Sequence, residues 1–289
     1  ALFAAVQGIG GWAGTAAAAY NASRAATHER LGNTAASHSR FLYVQGMCER
    51  LGITLERVED LVETYWCTFL DAMRPTAGVA ECMAWLRAQN VKIGVLTDFP
   101  AANQFTKLAR LNLLGLVDVV VTSEEVGVEK PQLPMFTCML RKLGLPASRV
   151  VMVGDSVERD VFGAQQTGMF SISVASGAMS MAQVLACLQQ LRVGHEQLVA
   201  QCSKYGRKTA LTQAGGGNVS VKVDVDPGLM FVKASGCKLG GVSADQGWSL
   251  VDRQTGRVVC GGRPSIETAL HLCLADKYAV LITKCRVTS

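Results

Sequence analysis

Several common signatures are absent from this 289-residue sequence, and each absence excludes a class of protein. Ten cysteines occur without a C-x-x-C pair and the four histidines do not cluster, which argues against zinc fingers and disulfide frameworks. No apolar run is long enough to cross a membrane. The basic residues form no run with interleaved aromatics, which argues against nucleic acid as a partner. Reduced thiols in a cytoplasmic protein are therefore expected.

The amino terminus lacks two further features. It has neither an initiating Met nor a basic segment, so it makes a poor signal peptide. It also lacks acidic residues, since the first is Glu29 and the first aspartate is Asp60. The apolar opening ALFAAV is a candidate for a central strand, although Gln7 and Gly8 after it cannot act as nucleophiles.

The chain is long enough for two domains, and its hydrophobic content of 49% indicates a folded protein. Its character changes near Met181: the net charge is −1 through Leu185 and +6 from Ala186 onward. We predict a first domain at residues 1–178, with helices over about 15–75, and a second at 186–289. A basic domain can attract phosphorylated metabolites.

In the first domain, short apolar runs alternate with helical patterns, which predicts an α/β fold with a parallel sheet. The runs KIGVLT, VDVVVT and VVMVG each precede a polar segment. Ligands bind at this carboxyl edge in doubly wound sheets. The candidate residues at these strand ends are Thr97, Asp98, Lys130, Asp155 and Asp160.

These side chains suit a phosphate site with a metal ion. Thr97 can donate to a phosphate oxygen, Lys130 can neutralise its charge, and Asp155 and Asp160 can share Mg²⁺. Asp98 is a further candidate for phosphate binding, and Lys130 also for catalysis. The alternatives are a turn aspartate and a helix-start aspartate favoured by the helix dipole, together with a solvated loop lysine.

The segments SEEVGVEKP and VGDSVERD resemble motifs of the haloacid dehalogenase-like hydrolases in order and spacing, from about Phe41 to Val174. The resemblance implies a Rossmann-like sheet, a helical cap that selects the substrate, and Mg²⁺. It also implies an Asp-x-Asp nucleophile motif on the first strand, which is missing here. We interpret His28 and His38, on the helical stretch, as surface residues.

The second domain contains a predicted amphipathic helix ending at Gly206 and strand-like runs separated by Gly and Asp turns. Three of its segments offer polar groups: AGGGNVS as an anion nest with Asn218, KASGCKLG with Ser235 and Gly236, and GGRPSIETALH with Ser265 and Glu267. Taken singly, each is also explained as a flexible turn, a strand end or a helix start.

Together these segments resemble the class II aldolase/adducin family from about Leu188 onward. The resemblance implies that Asn218, Ser235, Gly236 and Ser265 hold a phosphate and that Glu267 is the general base. It also implies zinc on three histidines, but Leu281 and Thr283, or Ile282 and Lys284 with a one-residue shift, stand where a His-x-His is expected. His271 cannot replace three ligands.

The leading expectation is a Mg²⁺-dependent phosphoester hydrolase acting on a small phosphometabolite such as a sugar phosphate. The alternatives are a zinc-dependent class II aldolase and a non-catalytic phosphometabolite-binding or scaffold protein. Because decisive residues are missing from both domains, we expect an incomplete stretch of a bifunctional enzyme that is itself inactive. A homo-oligomer through the second domain is a further expectation, and no membrane partner is expected.

Overall fold

The computed structural model describes residues 2–10, 13–174, 179–207, 218–223, 228–265, 268, 271 and 280–283. The chain divides into two compact units, residues 1–144 and 145–289. Both contain helices and parallel strands, which confirms the predicted α/β class. The predicted domain boundary between residues 178 and 186 stays a prediction. Within the described ranges, no helix has both the length and the apolar character that crossing a bilayer requires.

The first unit begins with four helices: α1 (Leu2–Gly10), α2 (Ala13–Leu31), α3 (Arg40–Leu51) and α4 (Val58–Ala72). The hydroxyl of Ser39 accepts the N–H of Leu42 and starts α3, and Gly52 ends it in the left-handed conformation, with a φ of 68°. The four helices share one apolar core, which includes Val6, Val44, Met47 and Leu61.

The possibility of a central strand in the opening ALFAAV is wrong, because Leu2 to Val6 lie in α1. A short apolar run does not distinguish a strand from a buried helix. Leu2 and Val6 are one helical turn apart, and both are buried in the core shared with α2, α3 and α4. The helical period therefore buries both side chains on one face.

The remainder of the first unit alternates helices and strands. Its elements are α5 (Val79–Ala88), β1 (Gly94–Thr97), α6 (Ala101–Arg110), β2 (Val119–Thr122), α7 (Ser123–Val126) and α8 (Leu133–Leu143). Strands β1 and β2 are parallel, with Gly94 paired to Val119 and Thr97 to Thr122. Their carboxyl ends therefore lie side by side.

The second unit opens with β3 (Val151–Gly154), a π-helical turn (Val157–Val161), α9 (Phe162–Gln166) and β4 (Phe170–Ser173). Strands β3 and β4 are parallel, with Val151 paired to Phe170. The long helix α10 (Met181–Gly206) follows and ends at the predicted Gly206. A capping box between Ser180 and Gln183 fixes its start.

A five-stranded antiparallel sheet completes the second unit, in the order β8–β7–β6–β5–β9. Its strands are β5 (Asn218–Val223), β6 (Leu229–Lys233), β7 (Trp248–Asp252), β8 (Val258–Gly261) and β9 (Val280–Thr283). One face packs on α10 through Leu191, Leu198, Val221 and Phe231. All five strands fall on runs that the sequence predicted.

The eight described cysteines are free thiols. Burial raises the pKa of Cys187 to about 11 and the pKa values of Cys202 and Cys260 to about 12. These three side chains lie in the core between α10 and the antiparallel sheet. They therefore stay protonated at neutral pH and act as apolar packing groups.

Candidate functional site

Thr97 and Asp98 lie where β1 ends, and both are buried. The Thr97 hydroxyl donates to Oε1 of Gln104 on α6 (3.2 Å) and accepts the backbone N–H of Phe99 (3.2 Å). A phosphate oxygen at this position would replace Gln104 as the acceptor. The Thr97 hydroxyl therefore lies at the end of β1, the position that the sequence predicted.

Asp98 joins this strand end to the loop that carries Lys130. Its Oδ1 accepts the backbone N–H of Lys130 (2.9 Å), and its carbonyl oxygen accepts the hydroxyl of Ser123 (2.6 Å). Thr97, Asp98 and Lys130 are thus brought together within the first unit. A direct role of Asp98 in phosphate binding stays a prediction, because the contacts described here hold the Lys130 loop in place.

The two candidate metal ligands follow β3 in the second unit. Asp155 is exposed directly after the strand, whereas Asp160 is buried in the π-helical turn. The Asp160 Oδ2 accepts the backbone N–H of Ser156 (3.1 Å), which turns the carboxylate back toward the strand end. A Cβ at Gly154 would lie 2.4 Å from this oxygen, so glycine leaves the space that the carboxylate occupies.

The two carboxylates fit Mg²⁺ in chemistry, since this ion takes oxygen ligands and keeps several waters. Among the described residues, no group of three His, Cys, Asp or Glu side chains is placed to hold a metal. Asp155 and Asp160 would therefore supply two ligands, with the others from water or substrate. Their convergence with Thr97 and Lys130 in one pocket stays a prediction, because the two pairs belong to different compact units.

The polar residues of the antiparallel sheet lie at one of its ends. The register pairs Ser220 with Val232, which places Asn218 opposite Ala234. Ala234 bridges Pro264, so Ser235 and Ser265 follow the two residues of that bridge. Asn218, Ser235, Gly236 and Ser265 therefore lie at the same sheet end, as the predicted phosphate site requires.

Asn218 is fully buried, and its Nδ2 has no hydrogen-bond partner in the described part of the chain. Such a donor is costly unless a ligand or water satisfies it. Gly236 adopts a φ of 76°, a conformation that favours glycine in a tight turn. Glu267, the candidate general base, lies outside the described residues.

The zinc implied by the aldolase resemblance does not fit the residues present. The strand where a His-x-His is expected is β9, which pairs Leu281 with Ser220 and Thr283 with Asn218. Its sequence, VLIT, contains no zinc ligand. His271 is buried, and its Nδ1 is 2.6 Å from the Ser220 hydroxyl. No chemical step through zinc is therefore assigned.

The interpretation of His28 and His38 as surface residues is wrong. The His38 Nε2 lies 2.9 Å from Oε1 of Glu129, which is 2% exposed, and its ring stacks on Phe99 with centroids 5.6 Å apart. The His28 Nε2 is 2.9 Å from the Tyr43 hydroxyl. The contacting residues are far apart in sequence, so the spacing of residues along a helix does not predict these contacts. The position of Glu129 directly before Lys130 was the available clue.

Comparisons with known proteins identify two families in this chain. A family model described as Haloacid dehalogenase-like hydrolase matches residues 16–174, more than half of the chain. A second, described as Class II Aldolase and Adducin N-terminal domain, matches residues 196–281. Both resemblances noted in the sequence are thereby confirmed.

Two curated relatives match the first part of the chain. A ribulose-1,5-bisphosphate 5-phosphatase from Halopiger xanaduensis is 39% identical over 156 residues, which cover 53% of this chain and 65% of the relative. A glyceraldehyde 3-phosphate phosphatase from Methanocaldococcus jannaschii is 36% identical over 39% of this chain and 50% of the relative. The chain thus spans half to two thirds of the length of these relatives.

Among solved structures, a 2-haloacid dehalogenase from Pseudomonas syringae pv. Tomato superposes with a TM-score of 0.48 at 22% identity. The match covers 60% of this chain and 80% of the dehalogenase. The family match over residues 16–174 is the decisive finding. The chain belongs to the haloacid dehalogenase-like hydrolases and also contains a class II aldolase/adducin N-terminal domain.

Proposed function

We propose that residues 16–174 form the phosphate- and metal-binding part of a phosphatase for sugar phosphates or similar small phosphometabolites. The observation that supports this most is the joining of Thr97 and Lys130 through Asp98 at the end of β1. The named activities of the Halopiger and Methanocaldococcus relatives support the substrate class.

In this proposal each residue has a stated task. The Thr97 hydroxyl donates to a phosphoryl oxygen, and the Lys130 ammonium neutralises its charge. Asp98 keeps the Lys130 loop against the strand end through the bond to its N–H. Asp155 and Asp160 would hold Mg²⁺, which would supply further positive charge.

Phosphate binding tests the assignment of Lys130. We expect Lys130→Ala to weaken binding of inorganic phosphate about tenfold or more in Mg²⁺ buffer, because hydrogen bonds to charged groups contribute about 1.5–3 kcal/mol. Isothermal titration calorimetry measures the Kd. Lys204→Ala, on α10, is the matched control and should bind phosphate as the unchanged protein does. Equal Kd values for Lys130→Ala and the unchanged protein would contradict the proposal.

Turnover needs a separate test, because these 289 residues contain no aspartate before Asp60 that could serve as the family's nucleophile. We expect no hydrolysis of p-nitrophenyl phosphate by the 289-residue protein in the presence of Mg²⁺, as followed by absorbance. Release of p-nitrophenol that disappears in Asp160→Asn would show that another residue acts as nucleophile.

Residues 196–281 favour a second candidate function, the binding of a phosphometabolite. The buried Nδ2 of Asn218, which has no hydrogen-bond partner among the described residues, lies at the same sheet end as Ser235 and Ser265 and supports it. An aldolase activity through Glu267 is less well supported, because β9 offers no zinc ligands. A cytoplasmic location and a homo-oligomer through this domain also remain proposals.

A further inference from the structure

Two cationic side chains of the first unit lie close to the ring of Phe99, which follows Thr97 and Asp98. The Arg40 Cζ is 5.4 Å from the ring centroid and the Lys107 Nζ is 4.5 Å from it. Both side chains are half-buried. They come from different elements, Arg40 from the start of α3 and Lys107 from α6. Their meeting at Phe99 is therefore a product of the fold.

Neither of these two cations forms a direct ion pair in the described part of the chain. Arg40 donates from Nε to the Tyr65 hydroxyl (3.1 Å) and from Nη1 to the carbonyl oxygen of His38 (2.9 Å). Neither Arg40 nor Lys107 forms an ion pair with a described carboxylate. Glu129, which lies in the same region, contacts His38 instead.

Holding these charges together has a cost. Burial lowers the pKa of Lys107, and the charge of Arg40 lowers it further. The aromatic rings of Tyr43, Tyr65 and Trp66 lie 5.4, 5.5 and 5.8 Å from the Arg40 Cζ and offset part of this cost. Half-buried like charges without a direct ion pair are better explained by a ligand than by stability.

We propose that Arg40, Lys107 and the Tyr65 hydroxyl form a second anion-binding site beside Thr97. It would take the non-reacting anionic group, a carboxylate or a second phosphate, of a doubly anionic phosphometabolite. The inference rests on the proposed function, in which Thr97 and Lys130 bind the reacting phosphoryl group. The Tyr65 oxygen accepts from Arg40, so its own hydrogen can donate to the anion.

Paired ligands test this site in the intact protein. Fructose 6-phosphate and fructose 1,6-bisphosphate differ by a phosphate, and glycerol 3-phosphate and 3-phosphoglycerate differ by a carboxylate. We expect the doubly anionic member of at least one pair to bind about tenfold more tightly in calorimetric titrations with Mg²⁺. The pair that shows this preference identifies the second anion as phosphate or carboxylate.

Substitutions then show which residues cause the preference for the doubly anionic ligand. Arg40→Gln and Lys107→Gln should each reduce it about tenfold, whereas Arg50→Gln, an exposed cation on the same helix α3, should leave it unchanged. Arg40→Lys should retain part of it, which separates lost charge from lost folding. The proposed site would be overturned if the unchanged protein shows no preference. It would also be overturned if the Arg40→Gln and Lys107→Gln variants keep the same preference as the unchanged protein.

Lys130→Gln separates this inference from the proposed function. It should weaken the binding of all four ligands by a similar factor and leave the preference between the members of each pair intact. If Lys130→Gln changes no affinity while Arg40→Gln abolishes the preference, the anion site stands and the assignment of Lys130 fails. If Lys130→Gln weakens the binding of all four ligands but Arg40→Gln and Lys107→Gln leave the preference unchanged, the assignment of Lys130 stands and the anion site fails.

Discussion

Replacing Gly154 with alanine is expected to destabilise the second unit by about 3 kcal/mol. The new Cβ would lie 2.4 Å from both Cβ and Oδ2 of Asp160, so the buried side chain must move as a whole. This movement also breaks the bond from the Ser156 N–H to the carboxylate. Thermal denaturation should show a Tm lower by roughly 6–12 °C.

Gly240→Ala is the matched control for this substitution. Gly240 also lies in the second unit, and an added Cβ there would have its nearest neighbour at 4.0 Å. We expect its Tm to change little. Shortening Asp160 to glycine in the Gly154→Ala background removes the clash, so the two substitutions should be non-additive. A Tm for Gly154→Ala equal to that of Gly240→Ala would show that Asp160 does not occupy this space.

Replacing His38 with alanine is expected to lower the stability of the first unit by about 3 kcal/mol. The substitution removes the imidazole 2.9 Å from the Glu129 carboxylate, which is 2% exposed, and the ring stacked on Phe99. Removing a contact from a buried carboxylate is more costly than removing one from an exposed carboxylate. Urea denaturation followed by circular dichroism measures the change.

Two further variants identify the cause of this loss. Arg57→Ala breaks an exposed ion pair with Asp60 in the same unit, and its effect should stay within about 0.5 kcal/mol. Adding Glu129→Gln to His38→Ala removes the buried negative charge and should restore part of the stability. If Glu129→Gln lowers the stability of the His38→Ala variant as much as it lowers that of the unchanged protein, the contact between His38 and Glu129 is not the source of the effect.

The elements that the sequence predicted correctly are those with a local signal. The strands β1, β2 and β3 are short apolar runs bounded by Gly, Asp or Thr, and α10 carries its apolar period up to Gly206. The positions of Thr97 and Asp155 at strand ends follow from the same runs. Local patterns therefore place these residues without any knowledge of the tertiary structure.

The features that the sequence did not reveal depend on contacts between distant segments. The helical stretch around His38 predicts a surface position, because it carries no sign of Glu129, which lies directly before Lys130 in the sequence. Arg40 and Lys107 meet only because α3 and α6 both pack beside Phe99. Side-chain charge and burial are set by such neighbours, so a single sequence cannot supply them.

The boundaries of the two families do not coincide with the apolar packing of the second unit. Ile172, in the stretch matched by the hydrolase family, shares one apolar cluster with Leu198 and Phe231 of the aldolase-like stretch. Val153 and Phe170 pack against the same cluster. The final strands of the hydrolase stretch are thus buried in part against the second module, and residues 145–174 are expected to unfold together with that module.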